Sequence, residues 1–273
     1  MILIMGATGN VGRHLVSLLG SKGVPARAVS RRPDKLLGLP TCIEPFAGDL
    51  RDAPTVRRAF EGVDDLVLLP MFGEADGVLI GEAQRVGVRR VVMISTVAPD
   101  DTIIGSRHRE TENRLKLSGL PYTILRTGAF MSNALEWAAS IKSKGVVFSP
   151  APNAETAPIA PRDVAAAAVA ALSTATGPVF ELTGHEALTT CAQVRILSEV
   201  LQRNIDCVEI SIGDMAARMT SQGAPTWLVD AVSEQMSRIR DGRSLLITHQ
   251  FEQLVQRPPL NFKDWCVENR QAF

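Results

Sequence analysis

The chain has 273 residues, of which 45% are hydrophobic, and its 29 Lys and Arg residues balance its 29 Asp and Glu residues. A neutral chain without blocks of like charge disfavours binding to nucleic acid or to an anionic membrane surface, so we expect a small-molecule partner. The hydrophobic content is enough for one large domain, or for one domain with an appendage. The apolar run at residues 2–5 is too short for a signal peptide, and no later run approaches the ~18 apolar residues of a membrane span. These features predict a cytoplasmic protein.

Short apolar runs alternate with helix-length segments through the first 150 residues, a pattern typical of a parallel sheet covered by crossover helices. The predicted strands are 2–5, 26–30, 43–46, 65–69, 91–95 and 122–126. The predicted helices lie near 10–20, 53–61, 75–86, 106–118 and 132–143. Because several of these strands are apolar throughout, both faces of the sheet should be covered. The fold class that we predict is α/β, a Rossmann-type doubly wound parallel sheet.

The composition changes after Pro150, where prolines surround a short alanine-rich helix. We place Asp163 at the N-cap of that helix. Thr190 and Gln193 have the spacing of a capping box and predict a second helix to about residue 201. Alternating residues at 208–212 indicate a strand, and the rest of this part is predicted to be mostly helical.

These elements predict two parts. A Rossmann-type domain should span 1–150, with the segment 159–184 returning to it. A small, mostly helical substrate-binding cap should span 185–273 and pack on the first part, because no low-complexity linker separates them.

The cysteines do not form a recognisable ligand pattern. Cys42, Cys191, Cys207 and Cys266 are scattered and include no Cys-x-x-Cys pair. We therefore predict reduced, mostly buried thiols, with neither a disulfide framework nor a metal site.

A glycine-rich turn, Gly6-Ala7-Thr8-Gly9-Asn10-Val11-Gly12, joins the first predicted strand to the first predicted helix. In this context the first glycine permits a sharp turn, the second lets the backbone approach a pyrophosphate, and the third lets the helix pack close to the sheet. The free amide groups at the helix N-terminus would face the phosphates. An ordinary tight turn is the alternative. The cofactor contacts predicted here are Gly6, Thr8, Gly9, Asn10, Val11 and Gly12.

Arg31 and Arg32 follow the second strand, where an NAD-selective protein would carry an acid for the ribose hydroxyls. Guanidinium groups suit the additional phosphate of NADP instead, although a solvated basic loop is an alternative. Asp49 and Leu50 follow the third strand, and Asp49 is either beside the adenine or a plain turn residue. The predicted cofactor is NADP(H).

The sequence resembles NmrA-like members of the atypical short-chain dehydrogenase/reductase family, which includes bacterial quinone reductases, isoflavone reductase and phenylcoumaran benzylic ether reductase. The resemblance covers nearly the whole chain. It rests on the glycine turn, Arg31-Arg32-Pro33-Asp34-Lys35, Gly48-Asp49-Leu50, Pro121-Tyr122-Thr123-Ile124-Leu125-Arg126, Arg162-Asp163-Val164-Ala165 and Arg257-Pro258-Pro259-Leu260-Asn261-Phe262. It implies a Rossmann fold and NAD(P)H-dependent oxidoreductase activity.

The Tyr-x-x-x-Lys pair of ordinary short-chain dehydrogenases is missing, since Tyr122 is the single tyrosine and Arg126 stands four residues later. In the benzylic ether reductases a lysine on the preceding helix acts as base, and the resemblance places His108 near that position. Histidine ordinarily titrates near neutral pH, which suits proton transfer. On a helix, His108 shares one face with Thr111 and Leu115. A catalytic role, a substrate-binding or structural role, and simple solvent exposure are the alternatives for it.

Three loops should meet at the carboxyl edge of the sheet, where ligands bind in open α/β folds. Pro70 and Ser95 are predicted to contact the cofactor there. The predicted substrate contacts are Met71, Phe72, Thr96, Phe130, Asn133 and Trp137. Their apolar and aromatic character suits a flat conjugated substrate. Trp227 and Met236 are candidates for closing the pocket, but the sequence does not place them.

The function predicted from these features is NADPH-dependent hydride transfer to an electron-poor conjugated small molecule, such as a quinone, an enone or an imine. Such acceptors spread the incoming charge and do not require the missing tyrosine and lysine. The resemblance to NmrA implies an alternative, a regulatory protein that senses NADP(H) without turnover. A tailoring enzyme of secondary metabolism whose reaction is not a net reduction is a further alternative. Whether the protein forms a homodimer is left open by the sequence.

Overall fold

The computed structural model describes residues 1–174 and 177–273. The strands are β1 Ile2–Ile4, β2 Ala26–Ser30, β3 Ile43–Ala47, β4 Asp65–Leu68, β5 Arg90–Thr96, β6 Tyr122–Thr127, β7 Val146–Ser149, β8 Glu155–Thr156, β9 Val179–Leu182, β10 Leu188–Thr189 and β11 Asp206–Glu209. Seven of them form one parallel sheet in the order β3-β2-β1-β4-β5-β6-β9. The predicted doubly wound α/β fold is therefore confirmed.

The helices alternate with the strands of the sheet and then dominate the C-terminal part. They are α1 Gly12–Ser21, α2 Ala53–Ala59, α3 Glu74–Val86, α4 Ile103–Leu117, α5 Ala138–Lys144, α6 Pro161–Ala171, α7 Thr190–Leu201, α8 Ile212–Ser221, α9 Thr226–Arg240, α10 Gln250–Val255 and α11 Phe262–Asn269. The helix predicted near 132–143 is a 3-10 helix, Met131–Trp137, that continues into α5. None of the helices in the described residues is long and apolar enough to span a bilayer.

Apolar residues on alternate sides of the strands bury both faces of the sheet. Leu15 of α1 and Val164 of α6 belong to the core on one face, together with Ile4 of β1. Leu79 of α3 and Leu115 of α4 belong to the core on the other face, with contributions from α2. Since β1 lies between β2 and β4, the strand order reverses there, and the crevice at this switch point is where open α/β sheets bind ligands.

The C-terminal part has a core of its own, in which Val194 and Leu197 of α7 pack with Phe262 and Trp265 of α11. Two small strand pairs connect this part to residues between β6 and β9: β10 pairs antiparallel with β8, and β11 pairs parallel with β7. Strand β9 lies within the segment 159–184 that was expected to return, of which residues 175 and 176 lie outside the described residues.

Three local predictions in this part are wrong by a few residues. Asp163 is not an N-cap, because Pro161 already starts α6 and the Asp163 carboxylate instead bonds Arg257 Nη2 at 2.6 Å and Leu260 N at 2.7 Å. Thr189 caps α7 by accepting a hydrogen bond from Ala192 N at 3.0 Å. The last strand ends at Glu209, since Ser211 caps α8.

The prediction of four reduced cysteines is also wrong in part. Cys191 at the start of α7 and Cys207 in β11 form a disulfide, with Cα atoms 5.5 Å apart. Pairing of β11 with β7 brings Cys207 to α7, a proximity that the spacing of the cysteines does not show. Cys42 and Cys266 are free, and burial raises the pKa of the Cys266 thiol to about 12.

Candidate active site at the carboxyl edge of the sheet

The glycine turn has the geometry of a phosphate cradle. Gly6 has a φ of +59°, and its carbonyl oxygen accepts a hydrogen bond from Gly9 N at 2.8 Å. A Cβ atom on Gly12 would overlap the Gly6 carbonyl oxygen, so only glycine lets α1 start this close to the turn. In the described chain no side chain caps α1, which leaves the positive end of the helix to a ligand.

A cavity of about 230 Å³, the small cavity, lies beside this turn. Its lining includes Thr8 of the turn and the cationic side chains Arg13 and Lys35. Arg31 and Arg32 are exposed residues close in sequence to Lys35, and neither lines the small cavity. The predicted basic region is therefore present, but the two cations that line the small cavity come from α1 and from the 3-10 helix Pro33–Leu36.

A second cavity, of about 820 Å³, opens at the carboxyl edge of the sheet, and we call it the large cavity. It brings together the predicted residues Asn10, Val11, Pro70, Phe72, Ser95, Thr96, His108, Phe130, Asn133 and Trp137. Asn10 Nδ2 donates to Ser132 Oγ at 2.6 Å, which joins the glycine turn to the 3-10 helix that carries Asn133 and Trp137. The cofactor turn and the predicted substrate residues thus share one chamber.

Besides Arg31, Arg32 and the three glycines of the turn, three predicted contacts line neither cavity. Met71 and Leu50 belong to the core under the sheet. Asp49 Oδ1 accepts a hydrogen bond from Arg51 N at 3.0 Å, as a plain turn aspartate does.

Phe72 enters the large cavity because the buried carboxylate of Asp76 holds its loop. Asp76 accepts hydrogen bonds from Met71 N at 2.8 Å, Phe72 N at 3.1 Å and Thr111 Oγ1 at 2.5 Å. Phe72 itself has a φ of +64°, a conformation that is costly for a residue with a Cβ atom. Asp76 satisfies the backbone amides of this loop, and the sequence did not single it out.

His108 lies against Phe72, with the two rings edge to face and their centroids 5.1 Å apart. Burial, assisted by the positive charge of Arg109, lowers the pKa of His108 to about 4. The near-neutral pKa expected from the sequence is therefore wrong, and the imidazole is neutral at pH 7. Its Nδ1 atom is buried without a hydrogen-bond partner among the described residues, so the ring retains bonding capacity for a ligand.

Beneath His108 lies an ionic cluster centred on Glu112, which is fully buried. The carboxylate accepts hydrogen bonds from Ser95 Oγ at 2.6 Å and Arg126 Nη2 at 2.7 Å, and it pairs with Arg109. Burial alone would raise the pKa of Glu112, but the bonds from Arg126 and Ser95 and the charge of Arg109 outweigh this and lower it. The cluster therefore stays ionised at neutral pH.

Arg109 extends this cluster to the β5–α4 loop. Its Nη2 atom donates to the carbonyl oxygens of Thr96 at 2.6 Å and Ala98 at 3.1 Å. Ser95, Thr96 and Ala98 all line the large cavity. The cluster thus fixes the cavity wall next to His108.

The C-terminal part closes the solvent side of the large cavity. Helices α7 and α9 and the loop after α9 contribute Gln193, Gln235, Met236, Ile239, Arg243, Leu245 and Leu246. Trp227 of α9 receives the guanidinium of Arg107 over its ring at 4.4 Å, which ties α9 to α4. Met236 was a candidate from the sequence, whereas Gln193 was predicted only as part of a capping box and Arg243 carried no sequence signal.

The uncapped N-terminus of α1, the glycine cradle and the adjoining cations fit a dinucleotide whose nicotinamide end would enter the large cavity. This fold and this site define a Rossmann-type protein that binds a nicotinamide dinucleotide. A model of NAD(P)H-binding proteins matches residues 6–175, and the chain belongs to that family.

Curated relatives and solved structures agree with this assignment. A (4-alkanoyl-5-oxo-2,5-dihydrofuran-3-yl)methyl phosphate reductase of Streptomyces griseus is 36% identical over 100% of this chain and 99% of its own. An NAD(P)H azoreductase of Xenophilus azovorans is 30% identical over 100% of this chain and 99% of its own. The NADPH-dependent quinone oxidoreductase of Escherichia coli, crystallised with NADPH, has a TM-score of 0.84 and 27% identity over 98% of this chain and 99% of its own. The chain is an NAD(P)H-dependent oxidoreductase, as its motifs predicted.

Proposed function

We propose that this enzyme transfers a hydride from NADPH to an electron-poor conjugated small molecule, with an enone, a quinone or an imine as the acceptor. The observation that carries the proposal is the composition of the large cavity: its aromatic and aliphatic walls reach the glycine turn, and none of the described residues that line it is a tyrosine. Tyr122 packs against the core of the sheet instead. Reduction of an isolated carbonyl, for which short-chain dehydrogenases use a tyrosine, is therefore the less suitable reaction.

Among these acceptors the relatives favour a conjugated carbonyl. One relative acts on an oxo-dihydrofuran ring, and one structural neighbour acts on quinones. In both compounds a carbonyl group can accept the charge that hydride addition at a conjugated carbon creates. A conjugated lactone or quinone is therefore the acceptor that we propose first.

NADPH, when bound, supplies the hydride. The residues of the chain bind the cofactor, orient the acceptor and stabilise the negative charge that develops on it. We assign the pyrophosphate to the turn Gly6–Gly12, and the additional phosphate of NADP to Arg13 and Lys35, with Arg31 and Arg32 adding long-range attraction. Phe72, Phe130 and Trp137 would hold the flat acceptor.

We assign His108 the role of a neutral hydrogen-bond donor to the substrate carbonyl oxygen. A neutral imidazole carries one N–H group, and hydrogen bonds to developing negative charge are the largest electrostatic contribution in many enzymes. With its pKa lowered to about 4, His108 is not an imidazolium acid at pH 7. The proton that completes the reduction would then come from water.

We propose further that residues 185–273 act as the substrate-binding cap, together with residues between β6 and β9 that pair with them. A cytoplasmic location and a homodimer remain predictions. The non-catalytic sensor is the less favoured alternative, because the curated relatives are named as reductases.

Product analysis with deuterated NADPH tests the proposed reaction. The enzyme is incubated with stereospecifically 4-deuterated NADPH and a panel containing a butenolide, a naphthoquinone, a cyclic imine and a simple ketone. We expect deuterium at the conjugated carbon of the butenolide and no turnover of the ketone. Tight NADPH binding without turnover of any acceptor would instead support the sensor.

A further inference from the structure

The charges around the large cavity are unevenly distributed. Among the described residues that line it, none is an aspartate or a glutamate, and the ionisable side chains are His108 and Arg243. His108 is neutral at pH 7. Among the described residues that line the cavity, Arg243 therefore carries the single formal charge, and it is positive.

The loop that carries Arg243, residues 241–249, is fixed at both ends. Arg243 N donates to the carbonyl oxygen of Arg238 at 2.9 Å, and Gln235 Nε2 donates to Ser244 Oγ at 3.3 Å. At the other end, Thr248 N donates to Thr183 Oγ1 at 3.0 Å, next to the sheet. The guanidinium is therefore attached to a segment whose position relative to the cavity is set by hydrogen bonds.

This loop forms the boundary between the cavity and solvent. Leu245 and Leu246 line the cavity and yet are 42% and 36% exposed. Apolar side chains with water on one side and a cavity on the other would gain burial when a substrate fills the cavity. The cation thus lies at the solvent end of an otherwise apolar and neutral-polar chamber.

The existing partner of Arg243 leaves it able to bind a ligand. Arg243 Nη2 pairs with Asp241 Oδ2 at 2.7 Å, but both side chains are about half exposed, and exposed ion pairs contribute little. A guanidinium has five N–H donors arranged to match a carboxylate or a phosphate, so one bond to Asp241 does not saturate it. An anionic ligand group could therefore be bound without breaking a buried interaction.

We propose that Arg243 binds an anionic substituent of the substrate, a carboxylate or a phosphate monoester, and so selects anionic conjugated acceptors over neutral and cationic ones. This rests on the reductase function proposed above. The phosphates of the cofactor are the competing anions. They have their own cations, Arg13 and Lys35, in the small cavity on the α1 side, whereas Arg243 belongs to the C-terminal part.

The test uses four compounds that share one butenolide ring: a hydroxymethyl butenolide, its methyl ether, its carboxymethyl ether and its phosphate monoester. Steady-state kcat/KM is measured for the intact enzyme, Arg243→Gln, Arg243→Lys and Arg240→Gln. Arg240 is the control, because it is an exposed arginine at the end of α9, just before the loop that carries Arg243, and it does not line the cavity.

We expect the intact enzyme to prefer an anionic compound to its neutral analogue by about tenfold or more, which corresponds to about 1.4 kcal/mol. Arg243→Gln should remove this preference, mainly by raising KM for the anionic compounds. It should leave kcat/KM for the two neutral compounds within about twofold of the value for the intact enzyme. Arg243→Lys should restore part of it, and Arg240→Gln should change nothing. Comparison of the carboxymethyl ether with the phosphate monoester identifies which anion the site favours.

Two results would overturn the assignment. One is an equal loss with anionic and neutral compounds in Arg243→Gln. The other is a loss that appears only in NADPH affinity, which would assign Arg243 to the cofactor. If no compound is turned over, the reductase proposal fails, and calorimetry of the saturated lactone phosphate with the NADP-loaded protein still tests Arg243: equal affinity in the intact protein and in Arg243→Gln would refute its role.

Discussion

The imidazole of His108 meets the ring of Phe72 edge to face, with centroids 5.1 Å apart, and this contact connects the helix that carries the candidate catalytic group to the loop that follows β4. The loop is held by Asp76 beneath it, and the helix is held by the Glu112 cluster. His108 is therefore positioned by two buried carboxylates that belong to different elements.

His108 should make the protein acid-sensitive. Its pKa is about 4 in the folded state and about 6.5 when unfolded, so the unfolded chain takes up the proton first as the pH falls. The stability that depends on neutral His108 is present above pH ~6.5 and is lost progressively towards pH ~4, with a total on the order of 3 kcal/mol. Between pH 7 and pH 5, the free energy of unfolding of His108→Gln should fall less than that of the intact protein, by about 2 kcal/mol. His249→Gln, at an exposed histidine, is the control.

The same shift predicts the pH dependence of catalysis. If neutral His108 donates a hydrogen bond to the substrate, kcat/KM should be flat between about pH 6 and pH 8, and His108→Ala should lower kcat by about 10² while NADPH affinity is unchanged. Stopped-flow or steady-state profiles with the butenolide would measure this. An ionisation near pH 6.5 that disappears in His108→Ala would show that His108 acts as an acid or a base instead.

Cofactor selectivity should depend on the small cavity. We expect NADPH to bind at least about tenfold more tightly than NADH, worth about 1.4 kcal/mol, because Arg13 and Lys35 can pair with the additional phosphate. Calorimetry on Arg13→Ala with Lys35→Ala should show this preference lost and NADH affinity retained, while the exposed Lys22→Ala serves as control. The double variant Arg31→Ala with Arg32→Ala should lower the preference for NADPH by less. A larger loss in that double variant would mean that Arg31 and Arg32 bind the additional phosphate.

The glycine turn offers a test that separates binding from folding. A Cβ on Gly9 would come within 3.0 Å of a single atom, the Gly6 carbonyl oxygen, whereas a Cβ on Gly12 would overlap the turn. Gly9→Val should therefore stay folded and lose dinucleotide affinity by about 100-fold or more, because its side chain would occupy the phosphate site. Gly12→Ala should lower the melting temperature. Gly81→Ala, which meets open space in α3, should leave dinucleotide affinity unchanged and should not lower the melting temperature. Undiminished binding by Gly9→Val would mean that the phosphates lie elsewhere.

The Glu112 cluster should be among the most sensitive sites for stability. Glu112→Gln would leave Arg109 and Arg126 without their buried counter-charge, which typically costs about 3–5 kcal/mol. Urea denaturation would measure the loss. Glu110→Gln, at an exposed pair with Arg114 on the same helix, should leave the free energy of unfolding nearly unchanged. Equal losses in the free energy of unfolding for Glu112→Gln and Glu110→Gln would contradict the stabilising role that we assign to the cluster.

Much of the fold could be predicted because it depends on local pattern. Continuous apolarity in Leu66–Leu68 and periodic apolar residues in α1 placed the strands and helices of the sheet, with bounds that differ by a few residues. The predictions failed where a distant segment decides the outcome. Asp163 bonds Arg257 instead of capping its helix, and Cys191 pairs with Cys207 because β11 lies beside β7.

In the candidate site, too, some features follow from local sequence and others depend on distant segments. The turn Gly6–Gly12 is a local signal, since spacing along one chain segment is enough to form a phosphate cradle. By itself, the sequence determined the fold class, the family and the dinucleotide turn. Only the tertiary structure decided that His108 is neutral, that Glu112 is buried among arginines, and that Arg243 lines the large cavity. Desolvation and charge pairing depend on what surrounds a side chain in three dimensions, and those neighbours come from segments far apart in the chain.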